Sequence, residues 1–172
     1  MKAMRILILL LGMVLLLIPS VFAADGVSFK ITASGGGIYD YVIIGMAPGA
    51  TDGLDYVYDV FTPGYGLNDS YIYAFIPHPE WGAVKADFRD DIRSMKNHDE
   101  WTIGITSNLP AGTPMTLQLE AEGAGKGVKV EAIDADSGVA ANLIKSAVAF
   151  SAPGDGVVKY FTVTLDLKLR SR

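Results

Sequence analysis

An antiparallel β-sandwich of eight or nine short strands, preceded by a cleaved leader, is the fold class this sequence predicts. Two observations predict the strands. Apolar and polar residues alternate wherever the chain is readable, and glycine, proline and aspartate punctuate the alternating runs. A third predicts the leader: 18 of the first 23 residues are apolar, unlike anything that follows.

The leader comes first. Lys2 and Arg5 form a short basic start, and Ile6 to Ile18 is an unbroken run of 13 apolar or glycine residues. Pro19 and Ser20 end the run, and Val21-Phe22-Ala23 places small or aliphatic residues at −3 and −1 of a cleavage point. That order is a secretory signal peptide over residues 1–23, leaving a single domain over 24–172. The apolar run is short of the ~20 residues a membrane-spanning helix needs, so no membrane insertion is expected after cleavage. The expected location is extracytoplasmic: periplasm, cell surface or medium.

Composition then narrows the function. The chain has 19 acidic and 14 basic residues, and the leader removes two of the bases and none of the acids. A chain this acidic is a poor partner for nucleic acid or anionic membrane. It contains no cysteine, which excludes thiol redox chemistry, cysteine-ligated zinc and iron–sulfur clusters. Stability outside the cell must then rest on core packing, for which a domain of ~150 residues is large enough.

The strands follow in chain order. Val27, Phe29, Ile31 and Ala33 alternate with Ser28, Lys30 and Thr32, and Ile38–Gly45 follows the Gly35-Gly36-Gly37 turn. Tyr71–Ile76 is the third run, with Tyr71, Tyr73 and Phe75 on a face expected to fill the core. Val84, Ala86, Phe88 and Ile92 fit a strand with an irregularity at Asp90, although Val84, Phe88, Ile92 and Met95 also fit a helical face; the strand is preferred. Trp101, Ile103 and Ile105 alternate with Thr102, Gly104 and Thr106, and Met115, Leu117 and Leu119 with Thr116, Gln118 and Glu120. Val128–Ile133 and Ile144–Phe150 are further strands. Phe161, Val163, Leu165, Leu167 and Leu169 close the series with the clearest alternation. Each run can bury one face and wet the other, and no long helical period interrupts them.

The most informative stretch is Ile31 to Val84. It has no lysine or arginine, six acids (Asp40, Asp52, Asp55, Asp59, Asp69 and Glu80) and seven of the eight tyrosines. Such carboxylates must be solvated, paired with distant bases, or bound to a cation. Asp52, Asp55 and Asp59 are candidate ligands for a hard cation, with Ca²⁺ as the possible cofactor, because closely spaced carboxylates and backbone carbonyls suit it. Asp52-Gly53 also suits an Asx turn, the commoner use of that dipeptide. Tyr56, Tyr58 and Tyr65 lie among glycine, proline and aspartate, so their rings are expected on the surface as contact area for a ligand. Trp81 is the fourth contact candidate.

A resemblance enters at these residues. Gly45, Ala50-Thr51-Asp52-Gly53, Asp55, Asp59-Val60 and Pro63 resemble the opening of a β-sandwich domain of bacterial exported proteins, often found upstream of a C-terminal sorting or anchoring segment. Pro77-His78-Pro79-Glu80-Trp81, Asp91-Ile92-Arg93, Trp101-Thr102-Ile103 and the Asp134–Gly138 turn continue it in the same order, over residues 38 to 165. The resemblance implies an Ig-like sandwich and carries over no catalytic residues and no ligand. Two features depart from the pattern: the proline-rich run after Asp59-Val60 is reduced to Pro63, and no sorting tail follows the last strand.

Catalytic signatures are weak. His78 and His98 lack metal-ligand spacing and are expected as exposed loop imidazoles. Glu80 and Asp99 offer a carboxylate pair of the glycosidase kind, with almost no specificity. No nucleophile elbow or phosphate-binding loop is present. The expectation is therefore a non-enzymatic binding or structural module, its partner a protein or polysaccharide at the cell surface. Two alternatives are a subunit that self-associates by exchanging Ala24–Ala33 or Phe161–Leu169, and a Ca²⁺-dependent carbohydrate-binding module or, last, a secreted hydrolase.

Overall fold

In the computed structural model, residues 26–64, 70–82, 86–120 and 127–168 are described. The leader at 1–23 lies outside them, as do Tyr65, Val84 and Leu169. Eleven strands follow in order: β1 (Val27–Gly35), β2 (Ile38–Ala47), β3 (Val60–Phe61), β4 (Ile72–Pro77), β5 (Asp87–Ser94), β6 (His98–Ser107), β7 (Pro114–Glu120), β8 (Val128–Asp134), β9 (Ala140–Asn142), β10 (Val148–Ser151) and β11 (Lys159–Leu167). A 3₁₀ turn, Pro79–Trp81, sits between β4 and β5. Among the described residues there is no helix long and apolar enough to cross a membrane.

The strands join in one sheet, ordered β10-β7-β1-β2-β5-β4-β6-β11-β8-β9, with β3 attached to β5. Its end strands β9 and β10 are consecutive in the chain, so the sheet curls into a nearly closed barrel. The all-β class is as predicted, but the strands are hydrogen-bonded in one sheet, so the two separate stacked sheets of the expected sandwich are not seen. Two further points differ. One neighbouring pair, β2 with β5, is parallel rather than antiparallel. The count is eleven because β3 and β9, of two and three residues, are too short to show alternation in sequence. The run at 144–150 is also shortened: Ile144 is an exposed turn residue, and only β10 pairs.

Alternation becomes burial where it was clearest. Phe161, Val163, Leu165 and Leu167 on β11 are buried, opposite Ile103 and Trp101 on β6 and Ala132 and Val130 on β8. Phe29 and Ile31 on β1 pair with Ile44 and Val42 on β2, and Met115 and Leu117 on β7 complete the interior. β4 is different, because five consecutive residues, Ile72 to Ile76, are buried. Gly104 on β6 explains part of this. A Cβ there would stand 2.5 Å from the Phe75 ring, so its absence lets Phe75 lie on the sheet, stacked with Tyr73 at 5.2 Å.

β5 is the hinge of the sheet. One of its sides pairs first with β4 at Asp87 and Phe88, then with β2 from Asp90 to Ser94. Its other side carries β3, where one step from Val60 to Phe61 matches two steps from Asp90 to Phe88. That irregularity falls at the break expected near Asp90, and it is a bulge on β5. It lets Phe88 and Asp91, three residues apart, reach the same imidazole of His78. Where β2 and β4 diverge, Asp40 accepts the Ala74 amide at 2.9 Å and closes the gap.

Candidate functional site

Among the described residues, the outer edge of β5 faces no strand beyond the two residues of β3. Open edges carry unpaired amides that must be satisfied or covered. Here carboxylates replace the missing strand. Asp59 Oδ1 accepts the amide of Ile92 at 3.2 Å, and Asp52 Oδ1 accepts the amide of Ser94 at 3.2 Å and its hydroxyl at 2.6 Å. Residues two apart point the same way along a strand, so two carboxylates spaced along the loop cover two successive outward amides.

The loop between them is tied to itself. Asp59 Oδ2 accepts the Asp55 amide at 2.6 Å, and the Asp55 carbonyl accepts the amides of Tyr58 and Asp59 at 2.9 and 2.7 Å. Asp55 Oδ1 accepts the Val57 amide at 3.0 Å, an Asx turn. The Tyr58 hydroxyl donates to the Pro48 carbonyl at 3.2 Å and folds that ring back on the turn. Burial lifts the Asp59 carboxyl above its ordinary value, although its two amide donors pull the other way. Asp52 is held below the usual carboxylate range, first by the Ser94 hydroxyl and then by Lys96, 3.1 Å away.

With the loop pinned from inside, its tip faces out. Tyr56 is 74% exposed and Val57 83%, with Val60 beside them on β3. The Tyr56 ring is tilted 6.2 Å from Phe61, which stacks on buried Phe88 at 4.6 Å. An aromatic column thus runs from solvent into the core.

The column ends at a charge network that is buried at its centre and exposed at both ends. His78 hydrogen-bonds through Nδ1 to Glu80 at 2.6 Å and through Nε2 to Asp91 at 2.8 Å. Arg93 donates to Asp91 at 2.9 Å and to Asp99 at 3.0 Å. Lys96 then bridges Asp99 at 2.8 Å and Asp52 at 3.1 Å. Charges therefore alternate along Glu80, His78, Asp91, Arg93, Asp99, Lys96 and Asp52, linking the 3₁₀ turn to the loop. Trp81 lies flat on His78 at 3.6 Å with planes 2° apart and meets Phe88 edge-on, while Arg93 sits over the Trp101 ring at 4.9 Å. Burial drives the His78 pKa down, but the hydrogen bonds to Asp91 and Glu80 outweigh it, and the net shift is upward.

Set against the sequence, the residues divide. Asp52, Asp55 and Asp59 share one loop, but each carboxylate is turned to a different donor of the chain. Among the described residues no group of three or more histidine, aspartate or glutamate side chains is gathered as a metal ion requires. Tyr56 is exposed as expected, Tyr58 is folded back, Trp81 is half-buried on His78, and Tyr65 lies outside the described residues. His98 is exposed, at 2.7 Å from Asp166. His78, expected as an exposed loop imidazole, is buried, because Trp81 and Phe88 cover it and two carboxylates compensate its charge.

Sequence reasoning gave no role to Asp91, Arg93, Lys96 or Val57. The signal for the bases was in the charge asymmetry. A base-free stretch with six acids must find its cations elsewhere, and Arg93 and Lys96 are among the first bases after it. Of the segments that carried the resemblance, those holding Asp52, His78–Trp81, Asp91–Arg93 and Trp101 meet along this network, whereas the Asp134–Gly138 turn lies apart, with Asp134 paired to Lys159. Comparison with protein-family models, curated proteins and solved structures gives no match.

Proposed function

We propose that the mature chain is an exported, non-enzymatic β-domain of Ig-like type that binds a protein or polysaccharide at the cell surface through the Tyr56–Val57 tip. One observation carries this reading: two large side chains, Tyr56 and Val57, stand in solvent on a loop whose carboxylates Asp52, Asp55 and Asp59 each accept a hydrogen bond that holds it. A tip ordered before contact loses little conformational entropy on binding, and a tyrosine with an aliphatic neighbour is typical anchor chemistry. The binding needs no Ca²⁺, since the loop carboxylates already have donors. The non-enzymatic part rests on His78, the best catalytic candidate: both ring nitrogens are engaged and a tryptophan covers one face. Strand exchange is disfavoured because β1 and β11 are each hydrogen-bonded on both sides, and donating either would open the core.

The test is a sedimentation assay of the mature protein with cell envelopes of the organism that makes it. The double variant Tyr56→Ser/Val57→Ser, folded by circular dichroism, should bind at least about tenfold more weakly, a loss of about 1.4 kcal/mol. Binding equal to wild type would overturn the assignment.

A further inference from the structure

We propose that His78 is the pin of a pH-operated latch: as an imidazolium it ties the Pro79–Trp81 turn to β5, and loss of its proton frees that turn while the rest of the sheet stays closed. The argument is one of hydrogen-bond capacity. An imidazolium donates from both nitrogens, whereas a neutral imidazole has one N–H and one lone pair. Both nitrogens face carboxylate oxygens, Glu80 at 2.6 Å and Asp91 at 2.8 Å. When the proton leaves, one carboxylate must face a lone pair, and that contact becomes repulsive.

Burial decides which one goes. The Asp91 side chain is 1% exposed and is also held by the Arg93 guanidinium, through Nε at 3.1 Å and Nη2 at 2.9 Å, so it keeps the remaining N–H. The Glu80 side chain is 61% exposed and can turn into water at little cost. Glu80 therefore lets go. The hold on Trp81 weakens at the same moment, because its ring stacks face to face on the imidazole and part of that attraction is to the positive charge. Among the described residues, what remains at the turn is the edge-on contact of Trp81 with Phe88 at 4.9 Å, a 3.2 Å backbone bond from Trp81 to the His78 carbonyl, and the 2.7 Å bond from the His78 amide to the Ala86 carbonyl at its base.

The surrounding charges explain why the release is local. The turn presents Glu80 and Trp81 to His78; β5 presents Phe88, Asp91 and, behind Asp91, Arg93. Asp99 on β6 reaches it through Arg93, and Asp59 on the loop acts on Asp91. Deprotonation leaves the Asp91–Arg93 pair neutral as a unit and still hydrogen-bonded, so β5 keeps its place. The upward shift of His78 puts the release on the alkaline side of an ordinary histidine.

Heteronuclear NMR of the mature protein from about pH 5 to pH 9 tests the latch. The His78 ring nitrogens, the Glu80 carboxyl and the Trp81 indole N–H, assigned with Trp81→Phe, should move together with one midpoint above that of a free histidine. The Trp101 indole should not move with them. In Glu80→Gln, a change at an exposed side chain, the His78 midpoint should fall. A Trp81 signal that stays fixed while His78 loses its proton would overturn the proposal. So would a His78 charged throughout the range, or an unaltered midpoint in Glu80→Gln.

Discussion

Asp59 lies across the strand edge at Ile92, with one carboxylate oxygen 3.2 Å from that amide nitrogen and the other 2.6 Å from the amide of Asp55. One buried side chain thereby stands in for a missing strand and fixes a turn. Removing it leaves two partly buried N–H groups without their acceptor, at a cost of about 1–3 kcal/mol for the two together because water reaches both in part. Asp59→Ala should therefore lower the unfolding free energy by about 1–3 kcal/mol in urea denaturation. Asp52→Ala, whose partners are exposed, should cost less than about 1 kcal/mol. Equal effects would show that burial does not separate the two roles.

Asp91 is the most demanding position. It is buried between His78 and Arg93, and removing one partner of a buried pair leaves a charge without compensation, at about 3–5 kcal/mol. Asp91→Ala should melt well below Asp59→Ala. A loss under about 1 kcal/mol would mean water already reaches the network.

His78 also sets a sign for stability against pH. Its folded pKa is raised above the ordinary 6.5, so the folded protein holds this proton more tightly than the unfolded chain. The stabilisation is complete below pH 6.5 and is lost as pH rises through the folded value. Stability of the wild type relative to His78→Gln should therefore decline with pH across that window. A difference that grows with pH would contradict the assignment.

Two strand glycines should differ from the turn glycines for steric rather than conformational reasons. A Cβ on Gly45 would run into the Val27 carbonyl and the Ser28 Cα, which are backbone and cannot turn aside. On Gly104 it would meet the Phe75 ring, which can shift at the expense of its stacking on Tyr73. Gly104→Ala should cost about 1–3 kcal/mol, and Gly45→Ala more, as measured by thermal melting. The reverse order would mean the β1–β2 pair yields more easily than the aromatic layer.

Much of the fold was legible because a period of two is a direct consequence of a sheet with one dry face. Phe161 to Leu167 and Trp101 to Ile105 show this, since in each the alternation became complete burial on one side. β3 and β9 were illegible for the opposite reason: two or three residues cannot display a period. The parallel β2–β5 pair was hidden because strand order is decided by contacts far apart in sequence. At the site, the Asp52–Asp59 loop and exposed Tyr56 could be read from composition. The burial of His78 could not, because it depends on a bulge that brings Phe88 and Asp91 to one side of β5. The acids' partners were hidden likewise: Asp52 and Lys96 are 44 residues apart.

Amide hydrogen exchange along the outer edge of β5 tests the pinned loop most directly, and the exposed tip depends on that loop. Ile92 and Ser94 should exchange slowly in the wild type although no strand faces them there. Asp59→Ala should release Ile92 and Asp55 while Ser94 stays protected. Rapid exchange at both β5 positions in the unaltered protein would contradict it, for the carboxylates would then not be holding the edge.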